Sequence, residues 1–166
     1  MKLLKNLAIA DITAVTTIAP AMARVEDGTA DLLTLMTDNG IALTINEKCD
    51  GTYYGIYQFV GMKREMHLCP GDSVDAIDHS TVRHEAIHAI QHCINVARGT
   101  DRYTPVMDMD DLVDAVNSEL PETVVTFVKE TYPEEHWAVE MEANLLERSA
   151  TAEEIAEYFA DACVGG

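Results

Sequence analysis

Residues 81–98 constrain the fold most, because they carry two histidines four positions apart inside an unbroken helical pattern. Side chains four apart on an α-helix project from the same face, so His84 and His88 can both direct an imidazole at one ion. Glu85 is rotated roughly a third of a turn from His84, so its carboxylate can reach a water beside that ion without binding the ion. The spacing therefore predicts a helix with a metal site on one side.

The neighbouring residues distinguish a metal site from an exposed pair of histidines. A solvated amphipathic helix would surround its histidines with charged side chains. Here the remainder is apolar: Ala86, Ile87, Ala89, Ile90 and Ile94. The His-Glu-x-x-His pattern is also the signature of zinc-dependent hydrolases. We therefore predict one Zn²⁺ per chain, bound by His84 and His88 with a third ligand from elsewhere, and Glu85 as the catalytic base.

Length and charge set the class of molecule. A chain of 166 residues with 48% hydrophobic content can bury one core, so residues 24–166 are expected to form a single α+β domain. The formal net charge of −18 would repel a phosphate backbone, which argues against nucleic acid as a partner. The longest apolar run is too short and interrupted for a membrane span. We expect a monomer that acts on a peptide or protein substrate.

Residues 1–23 have the pattern of an export signal. Two lysines and a mostly apolar run, residues 7–18, precede an Ala-x-Ala sequence that ends at Ala23. Asp11 interrupts the apolar run, where a charge is costly, so a packed or disordered N-terminal segment is the alternative. The pattern favours a secreted or periplasmic protein over a cytoplasmic one.

Four cysteines agree with export. Cys49, Cys69, Cys93 and Cys163 are even in number and widely spaced, which suits two disulfides in an oxidising compartment. Three pairings are possible, and we favour Cys49 with Cys69 and Cys93 with Cys163. The second pair would tie the histidine helix to the last helix. The alternative is four reduced, buried thiols.

Residues 24–71 are predicted to be the β-rich part of the domain, after a short helix over residues 29–39. An alternating or β-branched pattern, with a hairpin signal at Asp50-Gly51, predicts a small antiparallel sheet of about three strands. The strands are 41–46, 52–60 and 63–69. The third strand directly precedes the histidine helix, so its edge either pairs with an extended peptide or is an ordinary edge blunted by charged residues.

Residues 72–166 are predicted to be mostly helical. The histidine helix has a candidate N-cap at residues 78–80 and ends before Gly99, and Thr151 with Glu154 forms a capping box. Four further helices follow from the periodicity: 108–118, 121–132, 133–148 and 152–163.

The third ligand is sought in the sequence HWAVEMEAN, residues 136–144. Its two glutamates, Glu140 and Glu142, are rotated about 200° from each other, so at most one can bind the ion. Ala143 lies one turn after Glu140 and would let this helix approach the histidine helix closely. Glu140 is therefore the candidate ligand. Other glutamates nearby are expected on a solvated face: Glu134, Glu135 and Glu147.

The sequences HEAIH and WAVEMEAN together resemble the gluzincin class of zinc metallopeptidases. The W-x-x-E-x-x-A spacing is similar to that of aminopeptidase-type gluzincins, and E-x-E-A-N is similar to small repressor-cleaving peptidases of bacteria and phages. The resemblance implies a zincin-like fold, Glu140 as the third zinc ligand and hydrolysis of peptide bonds. Asn144 stands where many gluzincins have an aspartate that orients a ligand histidine, so a weaker form of that role is implied for Asn144.

A peptidase also needs a hydrogen-bond donor for the tetrahedral oxyanion. Tyr158, Tyr132 and His136 are candidates, and no spacing singles one out. His92 lies one further turn along the row of His84 and His88, too far along the axis to bind the same ion.

Two other functions are compatible with the same residues. The first is a non-catalytic exported binding protein with a structural metal site, although structural zinc needs no base such as Glu85 beside its ligands. The second is a cytoplasmic peptidase that cleaves a regulator, if residues 1–23 are not a signal. The N-terminus of the mature chain distinguishes the second from the exported peptidase.

Overall fold

A computed structural model describes residues 18–45, 54–60, 63–69, 79–100 and 103–164, with side chains from residue 28 onward except that of Val60. Within these ranges the chain is α+β, as predicted, with a small sheet and a mostly helical C-terminal part. The elements are α1 (Ile18–Asp38), β1 (Ile41–Ile45), β2 (Gly55–Val60), β3 (Lys63–Leu68), α2 (His79–Ala97), α3 (Met109–Glu119), α4 (Glu122–Thr131), a 3₁₀ turn (Glu134–His136), α5 (Trp137–Ser149), α6 (Ala152–Phe159) and a terminal π-helical turn (Ala160–Val164).

The sheet is mixed, with strand order β1-β3-β2 in the described part of the chain. β2 and β3 are antiparallel, with Gly55 opposite Leu68, whereas β1 and β3 are parallel, with Ile41 opposite Arg64. The expectation of an all-antiparallel sheet is therefore wrong for β1 and β3. Only two residues separate β2 from β3, which favours a hairpin there. The hairpin signal at Asp50-Gly51 lies outside the described residues, and the strands on either side of it do not pair.

The strand order changes which edge can meet a substrate. β3 was expected to offer a free edge beside the histidine helix, but both of its edges are paired, so this expectation is wrong. β2 packs more extensively against α2 than β3 does, and it forms one edge of the sheet as far as the structure is described. Alternation of side chains identifies a strand but not its neighbours, because strand pairing is non-local.

The main core surrounds α2. Buried side chains from α1, the sheet, α2 and α6 form one cluster, and each large apolar residue stabilises the fold by about 1.5–3 kcal/mol through removal from water. Its largest fully buried members are Leu32, Met36, Met66, Leu68, Val82, Ile87, Ile155 and Phe159. A second, smaller cluster joins α3 to α5 through Leu112, Val116, Leu120 and Leu145. α2 is therefore held on several sides.

The ends of the helices follow the predicted signals where they are described. α2 ends two residues before Gly99, whose φ of 75° lies in the left-handed region that glycine adopts without strain. The Thr151 hydroxyl accepts a hydrogen bond from Glu154 N, and the Glu154 carboxylate accepts one from Thr151 N, as in the predicted capping box. Asp78 lies outside the described residues.

α1 is longer than predicted, since it begins at Ile18 rather than residue 29. Residues 1–17 of the expected export signal lie outside the described residues. Among the helices that are described, none combines the length and the apolar character needed to cross a membrane.

A disulfide joins α2 to the terminal turn. Cys93 and Cys163 are bonded, with Cα atoms 5.3 Å apart, as the preferred pairing predicted. Cys49 lies outside the described residues, and so does its predicted pairing with Cys69. The crosslink fixes the C-terminal turn to the same helix that carries the histidines.

Candidate metal centre

Three predicted ligands converge where α5 crosses α2. One donor atom from each of His84, His88 and Glu140 lies within 4.8 Å of the other two. His84 Nε2 is 3.4 Å from Glu140 Oε2, His88 Nε2 is 3.6 Å from Glu140 Oε1, and the two Nε2 atoms are 3.1 Å apart. All three side chains are largely buried. Ala143, one turn after Glu140 on α5, is fully buried in the main core.

Hydrogen bonds on the far side of each ring fix the protons of the two histidines. His84 Nδ1 lies 3.0 Å from Glu147 Oε2, and His88 Nδ1 lies 2.7 Å from Gln91 Oε1. Both partners are oxygen acceptors, so each Nδ1 must carry the proton. In the neutral rings the Nε2 lone pairs therefore face each other.

The donor set fits a divalent cation. Two imidazole nitrogens and a carboxylate converge without a donor proton between them when the rings are neutral. Glu140 Oε2 is buried and makes no hydrogen bond to the described residues. Two histidines and one glutamate are a usual set of protein ligands in catalytic zinc sites, which keep one further position open.

The same geometry predicts what happens without the cation. Burial alone would lower the pKa of His84, but Glu140, Glu147 and the charge of Glu85 outweigh it and raise the pKa to about 10. Burial alone would raise the pKa of Glu140, but the close approach and positive charge of His84 and His88 lower it to about 2. Both shifts describe one ion pair, in which a proton on His84 takes the place of the cation.

Glu85 is held beside this centre rather than in it. It is buried, and its Oε2 accepts a hydrogen bond of 2.6 Å from Tyr57 N of β2. Burial raises the pKa of Glu85, and the charges of His88 and His84 oppose that rise. A Cβ on Gly55 would lie 2.5 Å from Thr81 Cγ2 and 3.0 Å from Glu85 Cγ, so glycine is required for β2 to pass this close to α2.

The centre opens into a cleft of about 480 Å³ between β2, α2 and α5. Tyr103, Tyr132 and His136 line it together with His84, Glu85, His88 and Glu140. Burial, together with the charges of Glu140 and Glu85, raises the pKa of Tyr132 to about 12. Burial also raises the pKa of Tyr103, whose ring centroid lies 6.1 Å from that of His88. Both phenols therefore keep their protons at neutral pH.

Tyr158 does not line the cleft of the metal centre, and Asn144 does not hydrogen-bond a ligand histidine among the contacts described. Tyr158 is half exposed and lines a separate apolar cavity with Ile87 and Ile90, whereas two other candidate donors, Tyr132 and His136, are in the cleft. Asn144 Nδ2 donates to the backbone oxygen of Glu140 at 2.9 Å.

Glu147 accepts the hydrogen bond from the His84 imidazole that was expected to go to Asn144. Its side chain is only 12% exposed, so its expected place on a solvated face is wrong. Glu147 lies seven residues after Glu140, two helical turns along the same face, and this spacing is the signal that would have found it. Gln91, three residues after His88, could have been found in the same way. Tyr103 precedes α3 in an irregular segment, and no spacing pointed to it.

Comparison of the chain with protein-family models, with curated proteins and with solved structures finds no match in any of the three. Fold alone does not define an activity. The function is therefore inferred from the chemistry of the centre and its cleft.

We expect the metal-free protein to lose stability as the pH rises from about 6.5 to about 10. Because folding raises the pKa of His84, its stabilising contribution is fully present below the unfolded value of 6.5 and is lost as the pH rises through about 10. Thermal unfolding in the presence of a chelator at several pH values measures how steeply the stability falls with pH, which is the slope compared below. His84→Gln should flatten it, whereas His79→Gln, at an exposed position, should not. An unchanged slope in His84→Gln would contradict this assignment.

Proposed function

We propose that this protein is a zinc-dependent peptidase of gluzincin type. The observation that carries the proposal is the convergence of His84 Nε2, His88 Nε2 and the Glu140 carboxylate, with the buried carboxylate of Glu85 beside them. Both HEAIH and WAVEMEAN contribute to this one centre, although they are separated by nearly fifty residues of sequence. A structural zinc site would not need the cleft or the unligated Glu85.

A zinc ion held by these three side chains would supply Lewis-acid activation of water and of the scissile carbonyl group. Glu85 Oε1 would accept the proton of the attacking water and deliver it to the nitrogen of the leaving amine. Tyr57 N holds the other oxygen of this carboxylate, which keeps the base oriented.

The edge of β2 is proposed to bind the substrate backbone. Tyr54 O accepts from Cys69 N, so the backbone groups of even-numbered residues face β3 and those of Gly55, Tyr57 and Phe59 face away from it. These three residues also line the cleft. Tyr57 N already donates to Glu85, so an extended peptide could pair with the other outward-facing groups of this edge, on Gly55 and Phe59 and at Tyr57 O, and place one bond next to the metal centre. Tyr103, Tyr132 and His136 are the proposed donors to the oxyanion.

Export of the protein is proposed as well. The Cys93–Cys163 disulfide supports it, because such crosslinks persist in oxidising compartments and are rare in the cytosol.

The metal ligands are tested by zinc content and affinity. We expect about one zinc per chain. Glu140→Ala should lower the zinc affinity more than Glu147→Ala, because Glu147 only hydrogen-bonds the Nδ1 atom of His84. Loss of such a partner of a ligand lowers metal affinity by about 10–100-fold. Glu134→Ala, at an exposed position, is the matched control and should bind zinc as wild type does. Equal zinc affinity in wild type and Glu140→Ala would exclude this site.

The base is tested separately. Glu85→Gln should retain zinc and lose peptide-bond cleavage by about 10²–10⁴-fold, because the amide cannot accept the proton of water. A library of unmodified peptides provides the substrate, and Glu135→Gln controls for the loss of one negative charge at an exposed position. If Glu85→Gln cleaves the library as fast as wild type, the peptidase mechanism is wrong.

A further inference from the structure

Glu142 is a fully buried carboxylate outside the metal centre. Its oxygens accept hydrogen bonds from Met107 N at 2.6 Å, from Val106 N at 2.9 and 3.0 Å, and from Gln91 Nε2 at 2.7 Å. An ionised carboxylate can only accept hydrogen bonds, so every group that faces it must be a donor. Glu142 therefore dictates the orientation of whatever amide lies against it.

Gln91 is that amide, and it too is fully buried. Its Nε2 donates to Glu142 and also to Val139 O at 3.1 Å, so both amide protons are used on this side. Its Oε1 consequently faces His88 Nδ1, at 2.7 Å. A reversed amide would place its oxygen against two other acceptors, the Glu142 carboxylate and Val139 O, and both would lose their hydrogen bond from Gln91. It would also present a donor to His88 Nδ1.

We propose that Glu142 is a positioning residue that determines, through Gln91, which nitrogen of His88 carries the proton. The acceptor Oε1 of Gln91 requires a proton on His88 Nδ1, which leaves the Nε2 lone pair for the metal centre. This inference rests on the proposed function for its purpose, since the lone pair matters only if a cation binds. The hydrogen-bond chain itself stands without it.

The Glu142 carboxylate also hydrogen-bonds the segment that forms one side of the cleft. Val106 and Met107 belong to the irregular segment 103–107, and Tyr103 at its start lines the cleft beside His88. Asn95 of α2 fastens this segment independently, through hydrogen bonds with Thr104. Glu142 therefore joins the ligand His88 and the segment that carries Tyr103 in one buried network. Asn95 contacts the segment and the backbone oxygen of Gln91, at 2.8 Å, rather than the Gln91 side chain.

Glu142→Gln separates these roles with almost no change in shape. The new amide must turn its NH₂ either towards Val106 N and Met107 N or towards Gln91 Nε2, and a donor then faces a donor. In the second arrangement, Gln91 turns its own NH₂ to His88. The proton of the neutral ring then moves from Nδ1 to Nε2, and the lone pair is removed from the centre.

Two measurements test this role: the ¹⁵N resonances of the His88 ring in metal-free protein and the zinc affinity in competition with a chelator. We expect wild type to hold the Nδ1–H form, and Glu142→Gln to shift the ring towards Nε2–H and to lower zinc affinity by about 10–100-fold. Asn95→Ala should accelerate amide exchange in segment 103–107 without altering either the His88 resonances or the zinc affinity.

The positioning role is overturned if Glu142→Gln and Glu142→Leu, the second of which offers Gln91 no acceptor in any orientation, both accelerate exchange at Val106 and Met107 but leave the His88 ring as in wild type. Glu142 would then be a clamp for the segment only. If Glu142→Gln does not fold, Gln91→Met decides, since it removes the link and keeps the volume: an altered His88 ring supports the role and an unaltered ring refutes it. A wild-type protein that binds no zinc, with the ring shift still present in Glu142→Gln, would refute the peptidase and retain the positioning role.

Discussion

The hydrogen bonds behind the two imidazoles are the constraint on which the rest of the centre depends. Glu147 and Gln91 each present an oxygen to an Nδ1 atom, and the lone pair of each Nε2 atom thereby points into the space that the two rings share with the Glu140 carboxylate. A histidine without such a partner could place its proton on either nitrogen and rotate about its side-chain bonds. The charges of Glu140 and Glu147 also account for the raised pKa of His84 in the metal-free chain.

The fold provides a rigid frame for these contacts. α2 lies in the main core, α5 packs against it, and the Cys93–Cys163 crosslink attaches the C-terminal turn to the same helix. β2 passes so close to Glu85 that a side chain at Gly55 would collide with α2. The base, the ligands and the edge strand are thus positioned by one helix and its immediate neighbours, which limits how far any of them can move relative to the others.

Local patterns predicted much of this arrangement, and non-local contacts account for what they missed. His84, Glu85 and His88 share one helix, and Glu140 follows from the spacing within HWAVEMEAN, so the convergence was foreseeable. The strand order was not foreseeable, because an alternating pattern cannot distinguish the order β1-β3-β2 from a simple meander. The expectation of a free edge on β3 instead of β2 has the same cause. Tyr158 was considered while Tyr103 was not, since an irregular segment has no period that indicates the direction of its side chains.

X-ray absorption at the zinc edge of the purified full-length protein tests the central claim most directly. Two imidazole nitrogens and carboxylate oxygen around one zinc ion are the expected ligands, with nitrogen and oxygen distances of about 2.0–2.2 Å. The imidazole signature should fall to one ring in His88→Asn. Sulfur in the zinc coordination sphere, or an imidazole signature that is unchanged in His88→Asn, would contradict the assignment of the centre to His84, His88 and Glu140.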